Sequence, residues 1–63
     1  MTTYRCFFFG PDGGIVGVET ADQPDDAAAA QWGAGLLARD GSCRAVEVWQ
    51  LTRRICRHER NGG

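Results

Sequence analysis

The sequence predicts a small α+β domain of the order ββαββ, in which a four-stranded antiparallel sheet carries one helix on one face. Two pairs of strand-like segments, rich in aromatic and β-branched residues, flank one alanine-rich segment of helical spacing. One helix laid over one sheet is the most economical way to pack these elements. At 63 residues the chain is a single domain. We assign residues 1–60 to this domain and residues 61–63 to a disordered tail.

The first hairpin joins the aromatic segment of residues 4–9 to the β-branched segment of residues 15–20. Residues 10–14, GPDGG, form a dense turn signal, because proline presets the first turn position and glycine accepts a positive φ. A loop of about three residues then sets the register. The predicted cross-strand pairs are Phe9 with Ile15, Phe8 with Val16 and Cys6 with Val18.

Side chains alternate along a strand, so this register divides the hairpin between two faces. The face predicted to meet the helix carries Tyr4, Cys6, Phe8, Val16 and Val18. The opposite face carries Phe7, Phe9 and Ile15. Both faces of the first strand are therefore apolar.

The helix is predicted over residues 25–40, with Asp25 or Asp26 as the N-cap and Gly41 as the residue that follows its C-terminal end. Its apolar stripe consists of Ala29, Trp32, Gly33, Leu36 and Leu37. Gly33 lies on this stripe, where a missing side chain lets the helix approach the sheet closely.

The second hairpin is predicted from residues 45–50 and 53–59, joined by Leu51 and Thr52, neither of which favours a positive φ. The predicted pairs are Val48 with Ile55, Trp49 with Arg54 and Glu47 with Cys56. Val46, Val48 and Ile55 turn towards the helix, whereas Glu47, Trp49, Arg54 and Cys56 turn away.

One helix covers only one face of a sheet, so the other face lacks a cover within the chain. A chain this short is marginally stable unless a disulfide, a metal or oligomerisation helps it. We therefore expect a homodimer, formed through the uncovered face or through edge strands, or an unidentified protein partner. The predicted interface residues are Phe7, Phe9, Ile15, Trp49 and Arg54.

The order of these motifs resembles a set of short proteobacterial proteins that form a domain of unknown function. Their pattern is a YRxYF-type strand, a D/G turn, a helix opening with paired acids, and an ELWQ-type strand followed by a basic strand. The corresponding residues here are 4–8, 12–13, 25–26 and 47–50, with Arg53 and Arg54. The resemblance covers nearly the whole chain. It supports the architecture and implies no activity.

Composition places the protein in the cytoplasm. Cys6, Cys43 and Cys56 are odd in number and show no paired spacing, which is typical of reduced thiols. No signal peptide is recognisable, and the longest apolar run is too short for a membrane span. We therefore expect no membrane association.

The two halves of the chain carry opposite charge. Residues 1–38 hold one Arg against five acidic residues, whereas residues 39–63 hold six Arg against three. Such asymmetry suits a two-fold contact between copies as well as a nucleic acid.

No residue pattern predicts catalysis, and we expect no cofactor, no metal and no enzymatic activity. Cys56 and His58 share a strand face, with Glu47 predicted opposite, but a zinc site needs three or four ligands in register. Whether Cys56 and His58 bind a metal stays open. A nucleophilic cysteine would need its imidazole partner inside a concave pocket, which a flat sheet does not build.

The alternative function is that of a nucleic-acid-binding accessory protein. Phe7, Phe9 and Trp49 could stack bases as RNA-binding sheets do, beside the arginines at positions 5, 53, 54 and 57. The net charge of −1 and the single helix weaken this interpretation. Burial of the aromatic residues in a dimer, with arginines at the rim, is preferred.

Overall fold

The structure, a computed structural model, describes residues 1–60 as a ββαββ fold of the α+β class, as the sequence predicts. The predicted tail at residues 61–63 lies outside the described residues. The elements are β1 (Thr2–Phe9), β2 (Ile15–Gln23), α1 (Asp26–Arg39), β3 (Ala45–Gln50) and β4 (Arg53–Glu59).

The four strands form one antiparallel sheet in the order β2-β1-β3-β4. The two central strands, β1 and β3, pair through residues 5–9 and 45–49, with Arg5 opposite Trp49 and Phe9 opposite Ala45. The outer strands β2 and β4 each pair with a single neighbour. The first hairpin therefore forms one half of the sheet and the second hairpin the other half.

A β-bulge in the first hairpin corrects part of its predicted register. Phe9 pairs with Ile15 as predicted, but Phe8 pairs with Gly17 because Val16 is an extra residue between them. Val18 consequently lies opposite Phe7, on the face away from the helix. The predicted pairs of Phe8 with Val16 and of Cys6 with Val18 are wrong, since one inserted residue exchanges the two faces of everything that follows.

A second β-bulge likewise changes the predicted register of the other hairpin. Trp49 pairs with Arg54 as predicted, but Ile55 is the extra residue, so Val48 pairs with Cys56. Cys56 therefore packs against the core, and its predicted position on the outer face is wrong. Ile55 still packs against the core, as predicted. Arg57, instead of Cys56, lies opposite Glu47.

The helix begins at its predicted N-cap and is capped at both ends. The Asp25 carboxylate accepts a hydrogen bond from the amide of Ala28, which satisfies one of the free amides at the helix start. Gly41 follows the C-cap Asp40, as predicted, and does not adopt a positive φ. Asp40 caps the helix in an extended conformation, and its carboxylate accepts hydrogen bonds from Ser42. Within residues 1–60, no helix is long and apolar enough to cross a membrane.

The core lies between α1 and one face of the sheet. Ala29, Gly33, Leu36 and Leu37 are the buried helix residues. They meet buried sheet residues together with Cys43, and Trp32 packs half-buried at the margin. The buried sheet residues of this core are Tyr4, Cys6, Phe8, Val46 and Val48.

Polar contacts at both ends of the helix connect it to residues of the sheet and of the segment that follows β4. At the N-terminal end, the Tyr4 hydroxyl donates to Asp26 at 2.7 Å, and Arg53 forms a 3.0 Å ion pair with the same carboxylate. The hydrogen bonds from Arg53 and then from Tyr4 lower the pKa of Asp26. At the other end, the Arg60 guanidinium donates to the carbonyls of Leu37 and Asp40, which satisfies acceptors that a helix end leaves free.

Gly33 sets the distance between helix and sheet. A Cβ atom placed on Gly33 would overlap the Val48 side chain, whereas a Cβ on Gly35 would meet no atom within 4 Å. The helix packs chiefly on β3 and β4 at this point of close approach. The predicted role of Gly33 therefore has a specific partner, the fully buried Val48.

The two glycines provide a matched test of this close approach. Gly35→Ala should raise the free energy of unfolding by up to about 1 kcal/mol, because alanine is the better helix former. Gly33→Ala should instead lower it by roughly 1–3 kcal/mol through overpacking against Val48. Urea unfolding followed by circular dichroism measures both. Equal stabilisation by the two substitutions would show that the helix does not rest on β3 at Gly33.

Candidate interaction surface

The sheet face opposite α1 brings together the five residues predicted as an interface. Residues opposite one another in the register share a face, and this register places Phe7, Phe9, Ile15, Trp49 and Arg54 on the same side. We name this side the open face. Its further members are Arg5, Val18, Thr20, Glu47 and Arg57, with Leu51 in the adjoining turn.

The open face contains a shallow apolar depression of about 290 Å³. It is lined by Phe7, Phe9, Ile15, Glu47, Trp49 and Leu51. The aromatic rings of Phe7, Phe9 and Trp49 are half-buried, whereas Ile15, Val18 and Leu51 are 61%, 53% and 85% exposed. The aromatic side chains thus form the floor of the depression, and the aliphatic side chains stand at its margin.

Glu47 lies at the centre of the open face and organises its polar groups. The Trp49 indole Nε1 donates to one carboxylate oxygen at 2.9 Å, and Arg57 donates to the other at 2.6 Å. Arg54 approaches the second oxygen at 3.5 Å. Burial tends to raise the pKa of Glu47, but the hydrogen bonds from Trp49 and Arg57 outweigh it, and the pKa is lowered.

Arg57 covers part of the aromatic floor. Its guanidinium carbon lies 5.1 Å from the centre of the Phe9 ring, in cation–π geometry. The same guanidinium bridges Glu47 to Glu59, at 2.6 Å and 3.1 Å. The chain therefore shields Phe9 with its own side chain, and the most exposed apolar surface lies towards β2 and Leu51.

The sequence predicts Glu47 on this face, but opposite Cys56, and therefore misses its pairing with Arg57. Their pairing depends on the bulge at Ile55, which moves Arg57 opposite Glu47. Arg54, Arg57 and Glu59 would share the face of Trp49 if one residue were inserted in this strand. This charge pattern is the signal that could have revealed the pairing. Nothing in the residue types marks the place of that insertion.

Cys56 and His58 lie on the helix side of the sheet and not with Glu47. The His58 Nε2 atom is 2.9 Å from the Ala30 carbonyl oxygen, and the Cys56 Sγ atom is 3.4 Å from the same nitrogen. A carbonyl oxygen only accepts, so this geometry assigns the proton to Nε2. Within residues 1–60, no group of three or more His, Cys, Asp and Glu side chains is arranged to hold a metal ion.

The thiols are poorly suited to act as nucleophiles. Burial raises the pKa of Cys6 to about 12 and also raises the pKa of Cys56. Both sulfurs are therefore protonated at neutral pH, whereas the reactive form of cysteine is the thiolate.

No protein-family model matches the chain, and neither the curated proteins nor the solved structures contain a significant match. The resemblance to short proteobacterial proteins therefore stays a prediction.

Replacing Glu47 by Gln should lower the free energy of unfolding at neutral pH by about 1–3 kcal/mol, because Arg54 and Arg57 lose their shared carboxylate. The amide oxygen of Gln can still accept from Trp49, so the loss reports the charge. A carboxyl group with a lowered folded-state pKa stabilises the fold above its ordinary pKa of 4.5. This contribution disappears as the pH falls through the lowered value.

The stability difference between the wild type and Glu47→Gln should therefore be full at pH 7 and should shrink as the pH falls below 4.5. Urea unfolding at a series of pH values measures it. A difference that stays constant over this range would contradict the ionic role of Glu47.

Proposed function

We propose that this chain is a small non-catalytic interaction protein that forms a homodimer through the open face. The observation that carries the proposal is the gathering of Phe7, Phe9, Ile15, Trp49 and Arg54 on one face, with no described segment packed over them. A central group of aromatic and Arg residues beside polar groups is the usual composition of an interface.

Leu51 supports the proposal because its side chain contributes little to the stability of the monomer. Its φ of 55° lies in the left-handed region, which costs a non-glycine residue about 1 kcal/mol or more. Its side chain is 85% exposed, so packing within the monomer does not compensate for this cost. A leucine at the margin of the depression acquires a stabilising role when a partner covers the open face.

The electrostatics of the open face favour burial. Glu47 already has its hydrogen-bond partners within the chain, in Trp49 and Arg57, and Arg54 lies nearby. A partner can therefore cover the centre without leaving a carboxylate unpaired, which is the costly case for buried charges. The exposed apolar residues Ile15 and Val18 supply the area to be buried.

The size of the open face limits the expected affinity of the dimer. The molecule measures 34 × 18 × 14 Å, so a contact confined to one face of its sheet lies at the low end of the range of interface sizes. An interface at the low end of the range is weak or transient. We therefore expect dimers that form at micromolar or higher concentration.

The second candidate function is nucleic-acid binding on the same face. The observation that favours it is the common placement of Phe7, Phe9 and Trp49 with Arg5 and Arg54. Against it, Arg57 is engaged by two carboxylates, and Glu47 occupies the centre where a phosphate would approach. Retention on immobilised polynucleotide at low salt tests it, since phosphate contacts weaken steeply as salt rises.

The state of the cysteines bears on catalysis and on localisation. The protonated thiols and the placement of Cys56 and His58 beneath the helix support a protein without a nucleophilic centre. All three cysteines are free, which fits a reducing compartment, and we place the protein in the cytoplasm.

The two tryptophans give a matched test, because Trp49 lies on the open face and Trp32 packs at the margin of the core. Trp49→Ala should raise the dimer dissociation constant at least tenfold, on the scale of interface anchors. Trp32→Ala should lower the free energy of unfolding by about 2 kcal/mol or more and leave the dissociation constant near the wild-type value. Sedimentation equilibrium beside urea unfolding separates the two quantities. Equal dissociation constants for both variants would remove the open face as the interface.

Leu51→Asn should separate stability from association. Asparagine tolerates the left-handed conformation, so the free energy of unfolding should rise by about 0.5–1 kcal/mol. Self-association should weaken, because an apolar contact is lost from the margin. Thermal unfolding at low concentration and sedimentation at high concentration measure the two effects. A more stable variant with unchanged association would show that Leu51 does not contact the partner.

A further inference from the structure

The two edges of the sheet differ in how they are protected. The β4 edge carries Arg53, Arg54 and Arg57 and is bent by a bulge, which are common ways of preventing strand addition. The β2 edge is nine residues long and contains no Lys, Arg or Pro. β2 also has a bulge at Val16 and two acidic residues, Glu19 and Asp22, but it lacks the basic residues of β4 and exposes apolar side chains, so its free edge can pair with another chain.

The apolar residues that β2 exposes are not covered by the rest of the described chain. Ile15, Val16 and Val18 are 61%, 64% and 53% exposed. The helix packs chiefly on the opposite half of the sheet, over β3 and β4. Between the C-terminal end of the helix and β2 there remains an open depression, lined by Phe8, Glu19, Leu36, Arg39, Asp40 and Gly41.

We propose that β2 pairs antiparallel with β2 of a second copy, about a two-fold axis at Val18, and so joins the two sheets into one of eight strands. In this register Val18 opposes Val18 and Gly17 opposes Glu19. Val16, the bulge residue, lies opposite Thr20 at the end of the regular pairing. Apolar and β-branched side chains that are exposed in one chain then become cross-strand neighbours. Such cross-strand pairs of side chains stabilise a sheet.

The charges along β2 select this register. A two-fold axis at Glu19 would set two carboxylates directly against each other, which is destabilising. An axis at Thr20 would place Val18 opposite Asp22, and an axis at Gly17 would place Ile15 opposite Glu19. With the axis at Val18, each acidic residue of β2 lies opposite an uncharged residue. Both copies then make the same contacts.

A second copy fits this edge better through β2 than through β4. The arginines of β4 are already engaged, Arg53 by Asp26 and Arg57 by Glu47 and Glu59. Pairing of β2 with β4 would in addition be head-to-tail and would continue into open filaments, whereas pairing of β2 with itself closes after two copies.

This contact is separate from the proposed open-face dimer. A two-fold axis perpendicular to the sheet places both helices on one side and both open faces on the other, where they stay accessible. Glu19 and Gly17 pair with Cys6 and Phe8 of β1, so their side-chain positions are on the helix side. Substitutions there test the edge without touching the open face.

Gly17 allows a matched pair of charge variants. A Cβ on Gly17 would lie 3.6 Å from the Phe8 ring, an ordinary contact, so substitution there does not force the strand to shift. Gly17→Lys places a cation opposite Glu19 of the other copy, and Gly17→Glu places a second carboxylate there. Both variants change the backbone propensity in the same direction, so their difference reports the charge across the edge.

The dissociation constant of each variant is measured by sedimentation at low ionic strength, in the wild-type background and with Trp49→Ala to weaken the open-face contact. Because the two-fold axis creates two such pairs, Gly17→Lys should lower the dissociation constant and Gly17→Glu should raise it, each on the order of 2- to 30-fold. Salt should reduce both effects. Urea unfolding of dilute samples controls for changes within one chain.

Opposite shifts that persist with Trp49→Ala support edge pairing even if the open face proves not to associate. Shifts in the same direction, no shift, or a protein that stays monomeric at about 1 mM, a concentration at which even weak contacts form, would overturn it. An unchanged dissociation constant for Trp49→Ala would contradict the open-face contact, whereas a Trp49→Ala variant that stays monomeric at about 1 mM would overturn edge pairing, so failure of either proposal can be recognised separately.

Discussion

The width of one helix governs how this small sheet is covered. An α-helix is about 10 Å across, whereas the axes of four adjacent strands span roughly 14 Å. The helix rests on the half formed by β3 and β4, where Gly33 has no side chain above Val48. This direct contact buries Val46 and Val48 completely. It also leaves β2 outside the area that the helix protects, and the opposite face of the sheet without any helix.

The chain compensates in part with its own polar side chains. Arg57 lies over Phe9 and joins Glu47 to Glu59, so the half of the open face nearest β4 is closed by a charged network. Within residues 1–60, no comparable side chain covers Ile15 or Val18 near β2. The unprotected apolar surface is therefore continuous from the open face to the β2 edge. Both proposed contacts lie on this surface, which explains why a chain with so small a core would gain from self-association.

The fold was predictable because the strong local signals agree with one another. The glycine-rich turn, the Asp25 cap and the helical stripe each indicate the same order of elements. The five predicted interface residues are also placed correctly on one face. All five lie on β1 or β3 or pair with those strands before a bulge intervenes, so simple alternation suffices to place them.

The errors arise where one extra residue exchanges the faces of a strand. Val16 and Ile55 are β-branched residues typical of any strand, and nothing in their chemistry marks a bulge. Val18 and Cys56 were misplaced as a consequence, and the pairing of Glu47 with Arg57 was missed. The strand order also could not be derived from the sequence, because both hairpins could place either strand at the centre. Only the packing of the whole sheet decides that β1 and β3 lie side by side.

The central claim, that the open face binds a second copy, is tested most directly by isotope-filtered nuclear Overhauser spectroscopy on a mixture of labelled and unlabelled chains. Such spectra detect only contacts between copies. At about 1 mM, where a weak interface is populated, the account predicts intermolecular signals from the side chains of Phe7, Ile15 and Trp49. Intermolecular signals confined to the helix, or none from these three side chains in a sample that is dimeric by mass, would contradict it.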